Sequence, residues 1–166
     1  MSRSDSTTYL WGRLDVPSQP HYVPAVRRAV ERLGAEADLS RRDIEDLDLA
    51  VTEACANAIR HGSPKGAHNR IHIAFYLEPE RVIVEIRDEG AGFDPNAEAL
   101  PTPGDLCDGG YGLHIMRQVV DRVEIQFGDG TTVRLHKARR GKEAPRLRAP
   151  RSVRRSIPGR VPALAA

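Results

Sequence analysis

Two pairs of alternating segments limit what this chain can become. In Arg70-Ile-His-Ile-Ala-Phe-Tyr-Leu77, the residues Ile71, Ile73, Phe75 and Leu77 fall on one side. After Glu78-Pro79-Glu80 turns the chain, Val82-Ile-Val-Glu-Ile-Arg-Asp88 alternates again. A period of two is that of a half-buried strand, and a short turn between two such runs makes a hairpin. Arg122–Phe127 and Thr131–His136, joined through Gly128-Asp129-Gly130, predict a second hairpin. Strands of this kind bury one face and leave the other more exposed, so the rest of the chain must supply helices for one side of a sheet.

The helices are legible. Ile44, Leu47, Val51, Ala54 and Ala58 recur at spacings of three and four, which is helix period. Ser40 can cap that helix, with Asp43 and Glu45 in its first turn, and it should run to about Arg60 and end at Gly62. Upstream, Pro24 suits a first helical turn, Val23, Val26, Val30 and Leu33 form a stripe, and Gly34 is the expected stop. Thr8–Val16 reads as a first or edge strand, broken by Pro17 and Pro20. A long irregular stretch rich in Gly and Pro runs from Glu89 to about Gly110, followed by a helix over 111–120. The order is strand, helix, helix, hairpin, loop, helix, hairpin, with no internal repeat. The expected fold is an α/β two-layer sandwich: a mixed, mostly antiparallel sheet covered on one face by helices.

Composition narrows the class. A chain of 166 residues, 40% hydrophobic and 29% charged, suits one globular domain. No apolar run is long enough to span a bilayer and the N-terminus lacks the apolar core of a signal peptide, so no membrane contact and a cytoplasmic location are expected. Cys55 and Cys107 make no metal or redox spacing and read as reduced thiols. Residues 138–166 hold nine Arg/Lys against Glu143 alone, about +8, which leaves about −6 for residues 1–137. The expectation is an acidic domain over 1–137 and a basic, Pro-rich, disordered extension over 138–166. The extension has no aromatic residue, so a nucleic-acid stacking platform is not expected there.

Three features carry chemistry. Glu53 and Asn57, four apart, stack on one helix face, with Leu49, Ala50 and Ala56 as neighbours that leave room for something to lie against it. Asp88-Glu-Gly90-Ala-Gly92 sits where a buried strand opens into a loop; such an Asp can accept from an exocyclic amine while the glycines let the backbone pass close to a ring. Alone, it reads more readily as a plain Asp/Gly turn, which is common. Gly109-Gly110-Tyr-Gly112-Leu113 leads into a helix, and a helix N-terminus with close-approaching N–H groups is an anion site. It lacks the Gly-Lys-Ser/Thr ending of a Walker loop and the preceding strand of a Rossmann fingerprint. His61, His68, His72 and His114 do not form a metal-ligand spacing.

Taken in order, these motifs resemble the GHKL (Bergerat-fold) superfamily of ATP-binding domains, shared by gyrase, histidine kinases and mismatch-repair ATPases. Residues 50–62 and 110–117 are most similar to the small bacterial anti-sigma-factor serine kinases, and the resemblance covers about residues 8–137. It implies ATP and Mg²⁺ as ligands. Asn57 would hold Mg²⁺ and Glu53 would be the general base for an attacking serine. Asp88 would read the adenine amine, with Gly90 and Gly92 letting the base lie close. Gly109, Gly110, Gly112 and Leu113 would wrap the phosphates, residues 93–108 would form a lid, and Thr131 would be an adenine-side contact. The implied function is a serine kinase that phosphorylates an anti-sigma-factor antagonist and sequesters a sigma factor, with a homodimer as the family expectation. A sensor histidine kinase is disfavoured because residues 1–20 are too few for a phosphoacceptor hairpin. A gyrase-like ATPase is disfavoured for want of a second domain. The rival reading is a non-catalytic ATP-binding or degenerate module that regulates a partner by binding alone.

Overall fold

The computed structural model describes residues 8–90 and 110–139. Along the chain they form β1 (Tyr9–Pro17), α1 (Val23–Glu36), α2 (Arg41–His61), β2 (Arg70–Leu77), β3 (Arg81–Arg87), α3 (Gly110–Val119), β4 (Arg122–Gly128) and β5 (Gly130–Ala138). This is the element order that the sequence predicts. The five strands make one sheet in the order β1-β2-β3-β5-β4. Every pairing among them is antiparallel, so the mixed character expected of the sheet is absent from the described strands.

Alternation sorts the sheet into two faces. Ile73 pairs with Leu14 and Ile86, Phe75 with Val84, and Val84 with Leu135, so these side chains share the face that α1 and α2 cover. Ile71, Ile73, Phe75, Val82, Val84, Ile86 and Leu135 are buried there with Val26, Val30, Leu33, Leu47, Val51 and Ala54 from the helices. At roughly 1.5–3 kcal/mol for each large apolar side chain removed from water, this layer is the main stabilising term. The opposite face is more open, as expected, although Ala74, Ile83 and His136 are buried there under neighbouring side chains.

Helix boundaries follow local chemistry in one case and tertiary contact in another. Ser40 caps α2 as predicted, its hydroxyl accepting from Asp43 N at 3.1 Å, and Gly62 ends it. Gly34, expected to stop α1, lies inside it. The stop is Asp38, which takes the left-handed conformation (φ 53) while Leu39 N donates to Gly34 O and Ala37 N to Leu33 O. Gly34 is needed for packing: a Cβ there would stand 2.5 Å from Ile44 Cγ1, so α1 and α2 meet at a residue with no side chain.

The last inward position of β5 is Lys137, paired across the sheet with Val82 and buried. Its ammonium reaches Asp46 at 3.0 Å, Asp43 at 3.2 Å and the Val119 carbonyl at 2.8 Å. A buried cation is tolerable only with such partners. These join the first half of α2, the end of α3 and the end of β5. Beyond it, Arg139 donates to the carbonyls of Ala37, Glu78 and Pro79. The rest of the basic extension, residues 140–166, lies outside the described residues, as do Cys107 and positions 93–108.

Candidate functional site

Asp88 continues the inward alternation Val82, Val84, Ile86 one step past the end of β3, which delivers a carboxylate to the helix side of the sheet. It is only 6% exposed. Its Oδ1 accepts from Thr131 N at 2.9 Å and Gly90 N at 3.0 Å, and its own N–H donates to Thr131 O at 3.0 Å. Oδ2 accepts no hydrogen bond from the described residues. Thr131 thus meets Asp88 through its backbone.

Three glycines close in on this carboxylate. A Cβ at Gly62, at the end of α2, would overlap the Asp88 side chain. A Cβ at Gly130 (φ 89) would overlap the Asp88 carbonyl oxygen, and one at Gly90 would stand 2.8 Å from Gly62 Cα. Gly90 makes a close approach to the backbone of Gly62, where the sequence suggested one to a ligand ring. In the sequence Gly62 and Gly130 mark a helix stop and a turn; nothing local announces that Asp88 lies against both.

Glu53 and Asn57 are half-buried on one face of α2. The first turn of α3 packs on that face: a Cβ at Gly112 would stand 3.1 Å from Glu53 Oε2 and 3.3 Å from Asn57 Nδ2. Gly112 therefore brings the N-terminal backbone of α3, which begins at Gly110, against the carboxylate and carboxamide. Leu113 turns the other way and packs against the core. Ala50, expected on the open face beside Glu53, is instead fully buried, because α2 is enclosed by the sheet, α1 and α3 together. Leu49 remains exposed. Gly92 and Gly109 lie outside the described residues.

The two halves of the site are linked by α2. Asn57 lies about 7.5 Å and Glu53 about 13.5 Å along the helix axis from Gly62, which touches Asp88. One helix therefore holds a buried acceptor at its C-terminal end, with a carboxamide and a carboxylate further along beside a helix N-terminus. This fits an elongated ligand with a donor-bearing ring at one end and anionic groups at the other. No group of three or more His, Cys, Asp or Glu able to hold a metal occurs among the described residues. A lone carboxamide is nonetheless a suitable partner for Mg²⁺, which keeps its waters and takes oxygens from phosphates. Cys55, on the buried side of α2, is inert: burial pushes its thiol up to about 12. A concavity of about 640 Å³ lies on the other face of the sheet and, among the described residues, touches the site through Asp88, Glu89 and Gly90. Within it His72 pairs with both Asp15 and Glu89.

The family model for the histidine kinase-like ATPase domain matches residues 16–137, which spans both halves of this site. Fold and site thus define a nucleotide-binding domain of the histidine kinase-like ATPase class. Within that class the chain belongs to the family of the serine-protein kinase RsbW. It is 32% identical to that protein of Bacillus subtilis (strain 168) over 132 residues, covering 75% of this chain and 82% of the relative. It is 31% identical to the serine-protein kinase RsbW of Halalkalibacterium halodurans, covering 75% of this chain and 80% of the relative. Among solved structures, the RsbU and RsbW domains of a Mycobacterium tuberculosis protein superpose with a TM-score of 0.56 at 21% identity, covering 80% of this chain and 34% of that one. The chain thus spans about a third of that structure, and the likeness bears on the fold. No helix among the described residues is long and apolar enough to cross a membrane.

Proposed function

We propose that the site binds ATP with Mg²⁺ and transfers its terminal phosphoryl group to a serine of a partner protein. The observation that carries this reading is Asp88: a buried carboxylate with one oxygen held by Gly90 and Thr131 and the other without a donor among the described residues, at the foot of the helix that bears Asn57 and Glu53. In this reading Asp88 Oδ2 accepts from the adenine amine, and Thr131 positions that carboxylate through its backbone. Gly90 and Gly92 leave room for the base. Gly109, Gly110 and Gly112 let the start of α3 approach the phosphates, with Leu113 anchoring that turn in the core. Asn57 holds Mg²⁺ through its side-chain oxygen. Bound Mg²⁺ would supply charge neutralisation on the phosphates. Glu53 accepts the proton of the serine hydroxyl, and most of the barrier reduction comes from positioning.

By membership of this family, the partner substrate is an anti-sigma-factor antagonist and the unphosphorylated pathway includes capture of a sigma factor, with the chain acting as a homodimer. The kinase domain, expected over 1–137, extends to Arg139, since Ala138 ends β5 and Arg139 binds the carbonyls of Ala37, Glu78 and Pro79; the rest of the basic segment is an extension of it.

Calorimetry with Mg·ATP tests the site. Wild type binds, and Asn57→Ala weakens Mg·ATP at least tenfold while leaving Mg²⁺-free ADP within a fewfold. No binding by folded wild type would refute the reading. Phosphoserine formation on a candidate antagonist then separates catalysis from binding. Glu53→Gln abolishes transfer while nucleotide affinity stays within about threefold; full regulation of the partner by that variant would favour a module acting by binding alone.

A further inference from the structure

The turn after β3 is shared between the two faces of the sheet. Alternation sends Asp88 to the helix side and the next residue, Glu89, to the open side. On that side Glu89 is not idle. Its Oε2 accepts from Arg70 N at 2.9 Å and from Asn69 Nδ2 at 3.3 Å, and its Oε1 stands 3.0 Å from His72 Nε2. These bonds hold its carboxyl far below the usual range, at about 2. The partners are themselves fixed. His72 Nδ1 is 2.5 Å from Asp15 Oδ1 on β1. Asn69, 5% exposed, accepts from Lys65 N at 2.7 Å through its side chain and from Ser18 N at 2.9 Å through its carbonyl. Asn69 N in turn donates to Gly66 O at 3.0 Å. Glu89 therefore ties the 88–90 turn to the start of β2, to β1, and to the 63–69 loop that leaves the end of α2.

Position matters at this turn more than at most. Asp88 meets Gly62 and Gly130 at contact distance, and Gly90 meets Gly62, so the backbone of 88–90 has no room to settle elsewhere without moving the carboxylate. On the helix side, among the described residues, the bonds of Asp88 with Thr131 and Gly90 hold it.

We propose that Glu89 is a positioning residue for base recognition, gripping the turn from the open face so that Asp88 Oδ2 stays aimed at an exocyclic amine. This rests on the reading of Asp88 given above. Glu89 touches no ligand; it acts through Asp88.

The test compares ATP with purine riboside 5′-triphosphate, which lacks the amine, by calorimetry with Mg²⁺ on wild type, Glu89→Ala and Glu89→Gln. Wild type prefers ATP by about tenfold, the worth of one hydrogen bond to a charged acceptor. Glu89→Ala lowers that preference to about threefold or less, mainly by weakening ATP. Glu89→Gln keeps an oxygen for Arg70 N–H and retains at least half of the preference. A general loss of structure would weaken both nucleotides alike and leave the ratio at its wild-type value, which overturns the proposal. So does a Glu89→Gln variant as impaired as Glu89→Ala, since an acceptor would then not be what holds the turn. If wild type binds neither nucleotide, the reading of the site itself falls, and this inference with it. Binding by wild type with unchanged selectivity in Glu89→Ala removes this inference alone.

Discussion

Gly62→Ala is the most demanding test of how the site is built. Gly62 has φ −97, a conformation open to any residue, so backbone freedom is not why glycine stands there. The reason is contact. A Cβ at this position would stand 2.5 Å from Asp88 Cβ and overlap its carboxylate. Restoring ordinary carbon–carbon separation requires a retreat of about 1 Å. Asp88 lacks that slack: its bonds to Thr131 and Gly90 are 2.9 and 3.0 Å long, and a stretch of that size breaks at least one. A lost hydrogen bond to a charged group costs about 1.5–3 kcal/mol, while replacing glycine returns about 0.4–1 kcal/mol through the unfolded chain. The expected net loss is about 0.5–2.6 kcal/mol in urea unfolding at neutral pH, together with at least a tenfold loss of Mg·ATP affinity. The same substitution in an Asp88→Gly background, which removes the obstructing side chain, should cost less than about 0.5 kcal/mol. An equal cost in both backgrounds would refute the reasoning, because the penalty would then arise at the end of α2 and not against Asp88.

Further outcomes follow from other parts of the molecule. Lys137→Met should lose about 2–4 kcal/mol in urea unfolding, because it leaves Asp43 and Asp46 facing each other and the Val119 carbonyl without its donor; a loss below about 1 kcal/mol would mean that the cluster is neutral. Cys55, raised to about 12 in the folded state, should resist a thiol reagent at pH 8 in native protein and react once urea unfolds it. Because the raised value lies above that of an unfolded thiol, this residue's share of stability is complete below about pH 8.5 and falls as pH rises toward 12. Relative to Cys55→Ala, wild type should therefore lose stability more steeply through that window. Glu89 shifts the opposite way, from 4.5 to about 2, so its contribution is present above pH 4.5 and lost as pH falls toward 2. Urea midpoints of wild type and Glu89→Gln should differ at pH 6 and converge as acid titrates that window; a constant difference would show that the charge on Glu89 does not matter.

The order of elements, the covered face of the sheet and the cap of α2 were legible because each is written in neighbouring residues. A period of two in Ile71–Leu77, a period of three to four in Leu47–Ala58, and Ser40 three residues before Asp43 are consequences of chain geometry that need no distant partner. The same alternation, carried one step further, points Asp88 at the helices and Glu89 away from them. Alternation also places Lys137 inward, but does not say that Asp43 and Asp46, far earlier in the chain, would be there to meet it. Nor does it place β5 between β3 and β4, which depends on which edges find each other. The glycines divide in the same way. Gly34 looked like a helix stop and is a helix crossing; Gly62 looked like a stop, and is one, yet it is also the wall behind Asp88. Local sequence sets what each segment becomes, since backbone period and capping act over a few residues. Which atoms a segment must make room for is settled only when elements distant in sequence pack, and that packing brought Gly112 onto Glu53 and Asn57 and three glycines around one carboxylate.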